Sequence, residues 1–271
     1  MKQLEQRVAV VTGAGSGIGR AVSVLLAERG CRVALADVNQ AGLEETERQV
    51  RAKNATASVH HVDVSDRARM QSFAAEVVQK HGTVNVLINN AGVSVNGKFM
   101  DQSLDDFEWL MGINFWGVVY GCKFFLPHLL SAEEGHIVNI SSVFGLLGVP
   151  QQSSYCASKF AVRGFTESLH SELKGTRVGI TTVHPGGIAT NIAAASRVTG
   201  DEQIHKSHAR AVKAFRKMMP PEQAAAQIVR GITENRPRVL ITRETHLLDF
   251  AKRVAPVSSN RIVDWGFKRL Q

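Results

Sequence analysis

Short apolar runs alternate along the chain with longer segments in which apolar residues recur at helical spacing. The runs hold Val, Ile and Ala on successive positions, as in the strands of a parallel sheet whose two faces are both buried. This alternation predicts an α/β fold with right-handed crossovers and helices on both faces of the sheet. Seven strands are predicted, at Arg7–Val11, Arg32–Ala36, Ser58–Val62, Val84–Ile88, His136–Ile140, Val178–Val183 and Arg238–Ile241.

No repeat, low-complexity stretch or linker divides the 271 residues, so we expect one domain over 1–271. The pattern loosens after Pro185, and residues 186–220 are predicted to form a lid over the cleft at the carboxyl ends of the strands. Residues 244–271 are predicted to form a basic helical extension. The other predicted helices are Ala21–Arg29, Ala41–Arg51, Arg67–Lys80, Leu104–Leu130 and Ser154–Leu173.

Composition narrows the class of protein. The chain is long enough to bury its core without a disulfide or a metal. Its three cysteines are widely spaced and form no Cys-x-x-Cys pair, which favours a reducing compartment, and we expect a cytoplasmic protein. No apolar run reaches the roughly 18 residues that a membrane span needs, and the first apolar stretch is too short for a signal sequence. We therefore expect a protein that is neither secreted nor transmembrane.

The net charge of +8 is concentrated near the C-terminus, where residues 205–271 carry 14 Lys and Arg against 5 Asp and Glu. A basic segment can bind nucleic acid or an anionic membrane, although a solvated helix face is commoner. No nucleic-acid partner is expected. The apolar and cationic residues of this region allow either peripheral membrane contact or packing on the domain or a dimer partner. They are residues 247–254, Ile262, Trp265, Phe267, Lys268 and Arg269.

A glycine-rich turn, TGAGSGIG at residues 12–19, follows the first predicted strand. Glycines allow a positive φ and close backbone approach, and the next helix offers unpaired N–H groups and a positive dipole end to a pyrophosphate. Such a turn is weakly diagnostic by itself. Here a buried strand precedes it, a helix follows it, and Asp37 ends the second strand 18 residues after Gly19. Together these features predict a dinucleotide site.

Asp37 favours NAD over NADP, because its carboxylate can accept hydrogen bonds from both hydroxyls of an adenosine ribose. A 2′-phosphate would add about −2 of charge beside the carboxylate. Positions 14, 16 and 38 hold no Lys or Arg to offset that charge. A capping role for Asp37 in a strand–helix turn is the alternative.

Tyr155 and Lys159 lie four residues apart, which places both side chains on one face of a predicted helix. A phenol with a pKa of ~10 is a poor acid–base catalyst at neutral pH. We expect the ammonium of Lys159, together with a cationic nicotinamide ring in a partly desolvated site, to lower that pKa. A strand ending at the same sheet edge delivers Ser142. Asn114 is an amide flanked by apolar residues, which needs a hydrogen-bond partner if buried. Taken singly, Ser142 could cap a turn and Asn114 could bond a neighbouring backbone group.

Together the motifs TGAGSGIG (12–19), NNAG (89–92), IVNISS (137–142), YCASK (155–159) and PGGIAT (185–190), with Asn114, resemble the short-chain dehydrogenase/reductase family. The resemblance spans roughly residues 5–190. It implies a single-domain Rossmann fold and an NAD(P)-dependent oxidoreductase that interconverts an alcohol with a ketone or aldehyde by hydride transfer.

The resemblance also implies roles for individual residues. Tyr155 is the implied acid–base, and Ser142 the group that hydrogen-bonds the substrate oxygen. Lys159 would lower the Tyr155 pKa and bind the nicotinamide ribose, and Asn114 would position a water of a proton relay. The implied cofactor contacts are Gly13, Ser16, Gly17, Ile18, Gly19, Asp37, Asp63, Val64, Asn90, Ala91, Gly92, Tyr155, Lys159, Pro185, Gly186, Ile188 and Thr190.

The C-terminus departs from the family's common pattern, because no Asp-Gly-Gly turn follows residues 239–242. The usual tetramer interface is therefore in doubt, and a homodimer through the helices at 104–130 and 154–173 is the reasonable alternative. This ending is similar to that of members acting on apolar or lipid-like carbonyls and alcohols. By position, the candidate pocket residues are Val143, Phe144 and Ile192, with Leu146, Val149, Phe215 and Met218 beside them.

Two other functions remain open, a catalytically silent NAD-binding regulator and a nucleic-acid binder that uses the basic tail. If the protein were a silent regulator, we would expect another residue in place of Ser142, Tyr155 or Lys159, and all three are present. Histidine pairs such as His60-His61 lack an accompanying cluster of carboxylates or cysteines, so no metal site is predicted.

Overall fold

A computed structural model of the protein describes residues 1–259. Each of the predicted strands is present, with bounds that differ by at most two residues. Two further two-residue strands lie outside the main sheet. The strands are β1 (Val8–Thr12), β2 (Arg32–Asp37), β3 (Ala57–His61), β4 (Val86–Asn89), β5 (Val95–Asn96), β6 (Gly135–Ile140), β7 (Val178–Pro185), β8 (Arg197–Val198) and β9 (Arg238–Ile241).

Seven of these strands form one parallel sheet in the order β3-β2-β1-β4-β6-β7-β9. The order reverses between β1 and β4, which is where ligands bind in doubly wound folds, beyond the carboxyl ends of the strands. The predicted fold class is confirmed.

The helices cover both faces of this sheet. They are α1 (Gly17–Glu28), α2 (Gln40–Arg51), α3 (Arg67–His81), α4 (Leu104–Met111), α5 (Gly117–Ser131), α6 (Ser153–Glu172), α7 (Glu202–Phe215), α8 (Pro221–Thr233) and α9 (Arg243–Val254). One face of the sheet packs against α1, α2 and α8 through residues such as Leu26 and Ile228, and the other packs against α3, α5 and α6 through Phe73 and Phe125.

The predicted helix over Leu104–Leu130 is present as one continuous helix, over Leu104–Ser131, but it is not α-helical throughout. A π-helical segment, Gly112–Trp116, separates α4 from α5 and buries Asn114. By length and composition alone, the whole stretch Leu104–Ser131 could cross a membrane. In the fold, Leu110, Phe125 and Leu129 of this stretch are fully buried, whereas Trp116 and Leu130 are about half exposed.

The lid segment contains β8 and α7. Its two ends meet, because Ile188 bridges Met219 and the Ala189 N–H donates to the Met219 carbonyl at 2.9 Å. β8 pairs with β5, and Arg197 on β8 lies 3.5 Å above the Trp109 ring and pairs with Asp106. The lid is therefore fastened to α4.

The C-terminal extension begins with α9, which packs against β9. Its predicted residues from Ile262 onward, including Trp265 and Phe267, lie outside the described residues.

Candidate active site

The carboxyl ends of β1, β2, β4, β6 and β7 gather the predicted site residues at one edge of the sheet. The glycine turn follows β1, Asp37 ends β2, and Asn90 follows β4. Ser142 lies two residues after β6, and Pro185 ends β7. Residues far apart in the chain are thereby brought together.

The glycine turn has the backbone shape that a pyrophosphate site requires. Gly13 and Gly17 have φ of 65° and 51°, a region that side-chain-bearing residues rarely adopt. A Cβ on Gly13 would lie 2.8 Å from the Ala91 Cα, so a larger residue does not fit. Ser16 precedes α1 without capping it through its side chain, which leaves N–H groups of the first turn available to an anion. These observations fit a nicotinamide dinucleotide.

Two side chains outside the predicted site residues, Arg20 and Thr46, hold the glycine turn in place. Arg20 donates to the carbonyls of Gly15 and Gly42 and, through Nε, to Thr46 Oγ1 at 2.9 Å. Thr46 Oγ1 donates to the Ala14 carbonyl at 2.8 Å. Their long-range contacts give no sequence signal.

Asn90 was predicted to contact the cofactor, and the structure shows a second task. Its Nδ2 donates to the carbonyls of Thr12 and Gly13 at 3.0 and 3.1 Å. The side chain therefore ties the end of β4 to the glycine turn, while Ala91 and Gly92 continue along the cleft.

Asp37 lies beside the turn at the end of β2. Its Oδ2 accepts from the Gly15 N–H at 2.8 Å and its Oδ1 from the Asn39 N–H at 2.9 Å. Both contacts orient the carboxylate, and each oxygen keeps a lone pair for a further donor. Farther along the edge, the exposed Asp63 accepts from Ser65, and Val64 is buried against Gly117. The adenine contacts of Asp63 and Val64 stay a prediction.

Ser142, Tyr155 and Lys159 are brought together as predicted. Lys159 Nζ lies 5.6 Å from the centroid of the Tyr155 ring and donates to the Ile140 carbonyl at 3.0 Å. Ser142 lies beside the Tyr155 phenol and acts to lower its pKa. Tyr155 and Lys159 both project from the first turns of α6 toward the end of β6. The group can exchange a proton with a substrate oxygen.

The fall in the Tyr155 pKa that is expected for a site with both Lys159 and a cationic nicotinamide ring is not seen in the protein alone. Burial raises the pKa of Tyr155 to about 12, and Ser142 only partly opposes this effect. Burial also lowers the pKa of Lys159 to about 8. Desolvation penalises the charged form of both groups and is the largest cause of both shifts.

Asn114 is buried in the π-helical segment behind Gly92. Its Nδ2 donates to the Val93 carbonyl at 2.9 Å and to Ser158 Oγ at 3.2 Å, and its Oδ1 accepts from the Val93 N–H at 2.8 Å. Since both amide hydrogens are in use, the side chain could hold a water only through the remaining lone pair of Oδ1. The proton relay stays a prediction.

The predicted pocket residues lie partly at the site. Val143 and Phe144 form a 3-10 turn directly after Ser142, and the Phe144 ring meets the Tyr155 ring edge-on at 6.1 Å. Ile192 is half-buried at the start of the lid. Across the cleft, Thr190 lies against Gly17, so the loop that contains Pro185, Gly186 and Ile188 faces the glycine turn.

Among residues 1–259, no group of three or more His, Cys, Asp or Glu side chains is arranged to hold a metal ion. The buried His60 instead bonds Ser58 and Glu76.

Comparison with known proteins agrees with this geometry. Residues 7–200 match the family model for short chain dehydrogenase. The chain is 42% identical over 268 residues to SadH of Mycobacterium tuberculosis, a protein whose name describes it as an oxidoreductase, with 98% of this chain and 97% of SadH covered.

Solved structures share the fold. A short chain dehydrogenase/reductase from Burkholderia phymatum in complex with NAD matches with a TM-score of 0.86 and 34% identity, covering 93% of each chain. An alcohol dehydrogenase from Thermococcus sibiricus complexed with 5-hydroxy-NADP matches with a TM-score of 0.74 and 25% identity, covering 88% of this chain and 95% of that one.

The chain belongs to the short-chain dehydrogenase/reductase family. It is an oxidoreductase of the nicotinamide-dependent class that acts on CH–OH donors.

The ionisation of Tyr155 can be measured directly, because the chain contains only two tyrosines, Tyr120 and Tyr155. We expect no phenolate from Tyr155 in the ligand-free protein below its ordinary pKa of 10.0, since burial raises that pKa to about 12. The measurement is the near-ultraviolet phenolate absorbance of wild type minus that of Tyr155→Phe, with Tyr120→Phe as the control. A Tyr155 phenolate at neutral pH would contradict this expectation.

Proposed function

We propose that this protein interconverts a secondary alcohol and a ketone in an NAD-dependent reaction, with Tyr155 as the general acid–base. The observation that carries the proposal is the enclosed group of Ser142, Tyr155 and Lys159 at the edge of the sheet that also bears the glycine turn. When bound, the nicotinamide supplies or accepts the hydride. The protein positions the substrate and the cofactor, and its side chains transfer the proton.

The roles of the side chains follow from their contacts. Ser142 donates a hydrogen bond to the substrate oxygen and stabilises negative charge that develops there. In alcohol oxidation Tyr155 accepts the hydroxyl proton, and in ketone reduction it returns that proton to the carbonyl oxygen. Lys159 is held by the Ile140 carbonyl and supplies positive charge beside the phenol.

The high pKa of Tyr155 in the protein alone is compatible with this chemistry. A neutral phenol is the required acid for ketone reduction. In oxidation the phenolate must form, and an added positive charge in the cleft would favour it. Lys159 keeps a pKa of about 8, so at neutral pH it is mostly an ammonium ion.

Asp37 supports NAD as the preferred dinucleotide. Its carboxylate is fixed by two backbone N–H groups at the edge of the cleft, where a ribose 2′-hydroxyl can donate to it. A 2′-phosphate would meet a like charge at this position.

The surroundings of the reacting group favour an apolar substrate. Phe144 lies against Tyr155, and the half-buried Val143 precedes Phe144 in the same turn. An apolar alcohol or ketone would be desolvated against these side chains at little cost.

The alternative functions receive no such support. A silent regulator gives no reason to bury the Lys159 ammonium beside Tyr155, since burying an ionisable group is costly. For a nucleic-acid binder, the exposed Lys213 on α7 and the exposed Lys217 just after it are the candidate contacts. In α7, however, the half-buried Phe215 is the one Phe, Tyr or Trp side chain beside these cations.

A homodimer or homotetramer stays a prediction. It is supported by the outer face of the helices next to the π-helical segment, where Trp116 stacks on Tyr120 with ring centroids 5.7 Å apart. Trp116 is 48% exposed and Phe160 on α6 is 40% exposed. Exposed aromatic surface of this kind is common at protein interfaces.

Peripheral contact with an anionic membrane is proposed for α9. The helix packs on β9, and it leaves Leu247, Phe250 and Val254 exposed along one side, at spacings of three and four residues. Arg243 and Arg253 flank this apolar stripe. Apolar and cationic side chains on one exposed helix fit a bilayer interface.

The assigned chemistry is tested by Tyr155→Phe. We expect kcat to fall at least about 100-fold, because the proton carrier is lost, while NADH affinity changes less than about twofold. The measurement is NADH-linked turnover across apolar, steroid, aliphatic and sugar alcohols, with binding followed by NADH fluorescence. Tyr120→Phe is the matched control. Retained turnover in Tyr155→Phe would contradict the assignment.

Cofactor preference is tested by Asp37→Ser. We expect kcat/KM with NAD to fall about 10- to 100-fold, because hydrogen bonds to a charged acceptor are lost, and kcat/KM with NADP to rise. Glu44→Ser, an exposed acid on α2, should leave both values unchanged. A wild-type preference for NADPH would refute the role of Asp37.

Membrane contact is tested by co-sedimentation of the full chain with phosphatidylcholine vesicles that contain or lack phosphatidylglycerol. We expect binding only to the anionic vesicles, and its loss in the double variant Leu247→Gln/Phe250→Gln, because the apolar anchor is removed. Met100→Gln, at an exposed residue between β5 and α4, is the control. Equal sedimentation of wild type and the double variant would end this proposal.

A further inference from the structure

A buried imidazole lies behind Ser142. His184 is the next-to-last residue of β7, and none of its surface is exposed. Its Nδ1 lies 3.0 Å from the backbone carbonyl oxygen of Ser142. The sequence drew attention to the neighbouring Pro185 and gave His184 no role, so this contact is visible only in the fold.

The strand ladder cannot supply this contact. β6 and β7 pair as far as Ile140 and Val183, and the last backbone bond runs from the Ser141 N–H to the Val183 carbonyl at 2.8 Å. The backbone of Ser142 therefore extends beyond the paired part of the sheet. His184 continues the connection between the two strands with a side chain.

The Ser142 carbonyl accepts two hydrogen bonds. One comes from the Gly145 N–H at 2.9 Å and forms the 3-10 turn Val143–Gly145, and the other comes from His184. The first bond shapes the turn, and the second anchors that turn to β7. In the same turn Ser142 Oγ accepts from the Phe144 N–H at 3.1 Å, and Phe144 packs edge-on against Tyr155.

The tautomer of His184 follows from its partner. A carbonyl oxygen only accepts hydrogen bonds, so Nδ1 carries the hydrogen. Nε2 is buried and has no hydrogen-bond partner in the part of the chain that the structure describes. A proton on Nε2 would place a charge there without a partner, and burial accordingly lowers the pKa of His184 to about 4.

We propose that His184 is a positioning residue: its Nδ1–H holds the Ser142 carbonyl and thereby fixes the Ser142 hydroxyl relative to Tyr155. The inference rests on the proposed function, because it assigns the orientation of the hydroxyl that donates to the substrate oxygen. His184 acts through Ser142 and touches neither substrate nor cofactor. It also couples the serine to the loop that begins at Pro185.

The test compares His184→Leu, which removes the donor at similar volume, with His184→Asn, whose Nδ2 can take the place of Nδ1–H. We expect His184→Leu to lower kcat about tenfold or more, since one hydrogen bond of ordinary strength is lost. NADH affinity should change less than about twofold and unfolding should stay cooperative. His184→Asn should recover most of kcat. Equal losses in both variants, with equal losses of thermal stability, would show a purely structural residue.

A double-mutant cycle shows whether the effect passes through Ser142. In the Ser142→Ala background we expect His184→Leu to cause little further loss of kcat, because the hydroxyl that it positions is already gone. A full additional tenfold loss would overturn the proposal.

A readout without turnover separates this inference from the proposed function. The 15N spectrum of the ligand-free wild type should show His184 with a protonated Nδ1 and a bare Nε2. If the wild type turned over no alcohol, the proposed function would fail, and this spectrum would still decide the hydrogen bond. An Nε2–H tautomer would overturn it.

Discussion

The parallel pairing of β1, β4, β6 and β7 is the constraint on which the rest of the site depends. Strands that run in one direction finish at one edge, so residues that follow them converge although they are far apart in sequence. The register pairs Asn89 with Asn139 and Ile140 with Val183, and it sets the height at which Ser142 leaves the sheet. A slip of one residue would turn its side chain to the other face.

Burial decides the electrostatics at this edge. Desolvation raises the pKa of Tyr155 and lowers that of Lys159. The site therefore favours the neutral phenol and makes the Lys159 ammonium a stronger acid. The pair is therefore sensitive to charge added in the cleft. The same low polarity that makes ionisation costly also strengthens each hydrogen bond within the site.

Much of the fold could be predicted because each element has a local signature. The continuous apolar strands, the glycine turn before α1 and the helical spacing of α6 all depend on residues close together in the chain. The π-helical segment had no such signature. Its apolar pattern runs on without a break, and only the packing of Asn114 between Val93 and Ser158 shows why the helix widens there.

The candidate site, like the fold, has features that the sequence predicts and features that only the structure shows. The sequence by itself determined which residues bear the chemistry, because short motifs carry the glycines, the acid, the serine and the Tyr–Lys pair at spacings that chance seldom produces together. The tertiary structure alone decided how those residues are held and charged. Three features show this: the hydrogen bonds of Arg20 to the glycine turn, the contact of His184 with Ser142 and the raised pKa of Tyr155. They depend on long-range packing and on exclusion of water, and no short segment of the sequence specifies either.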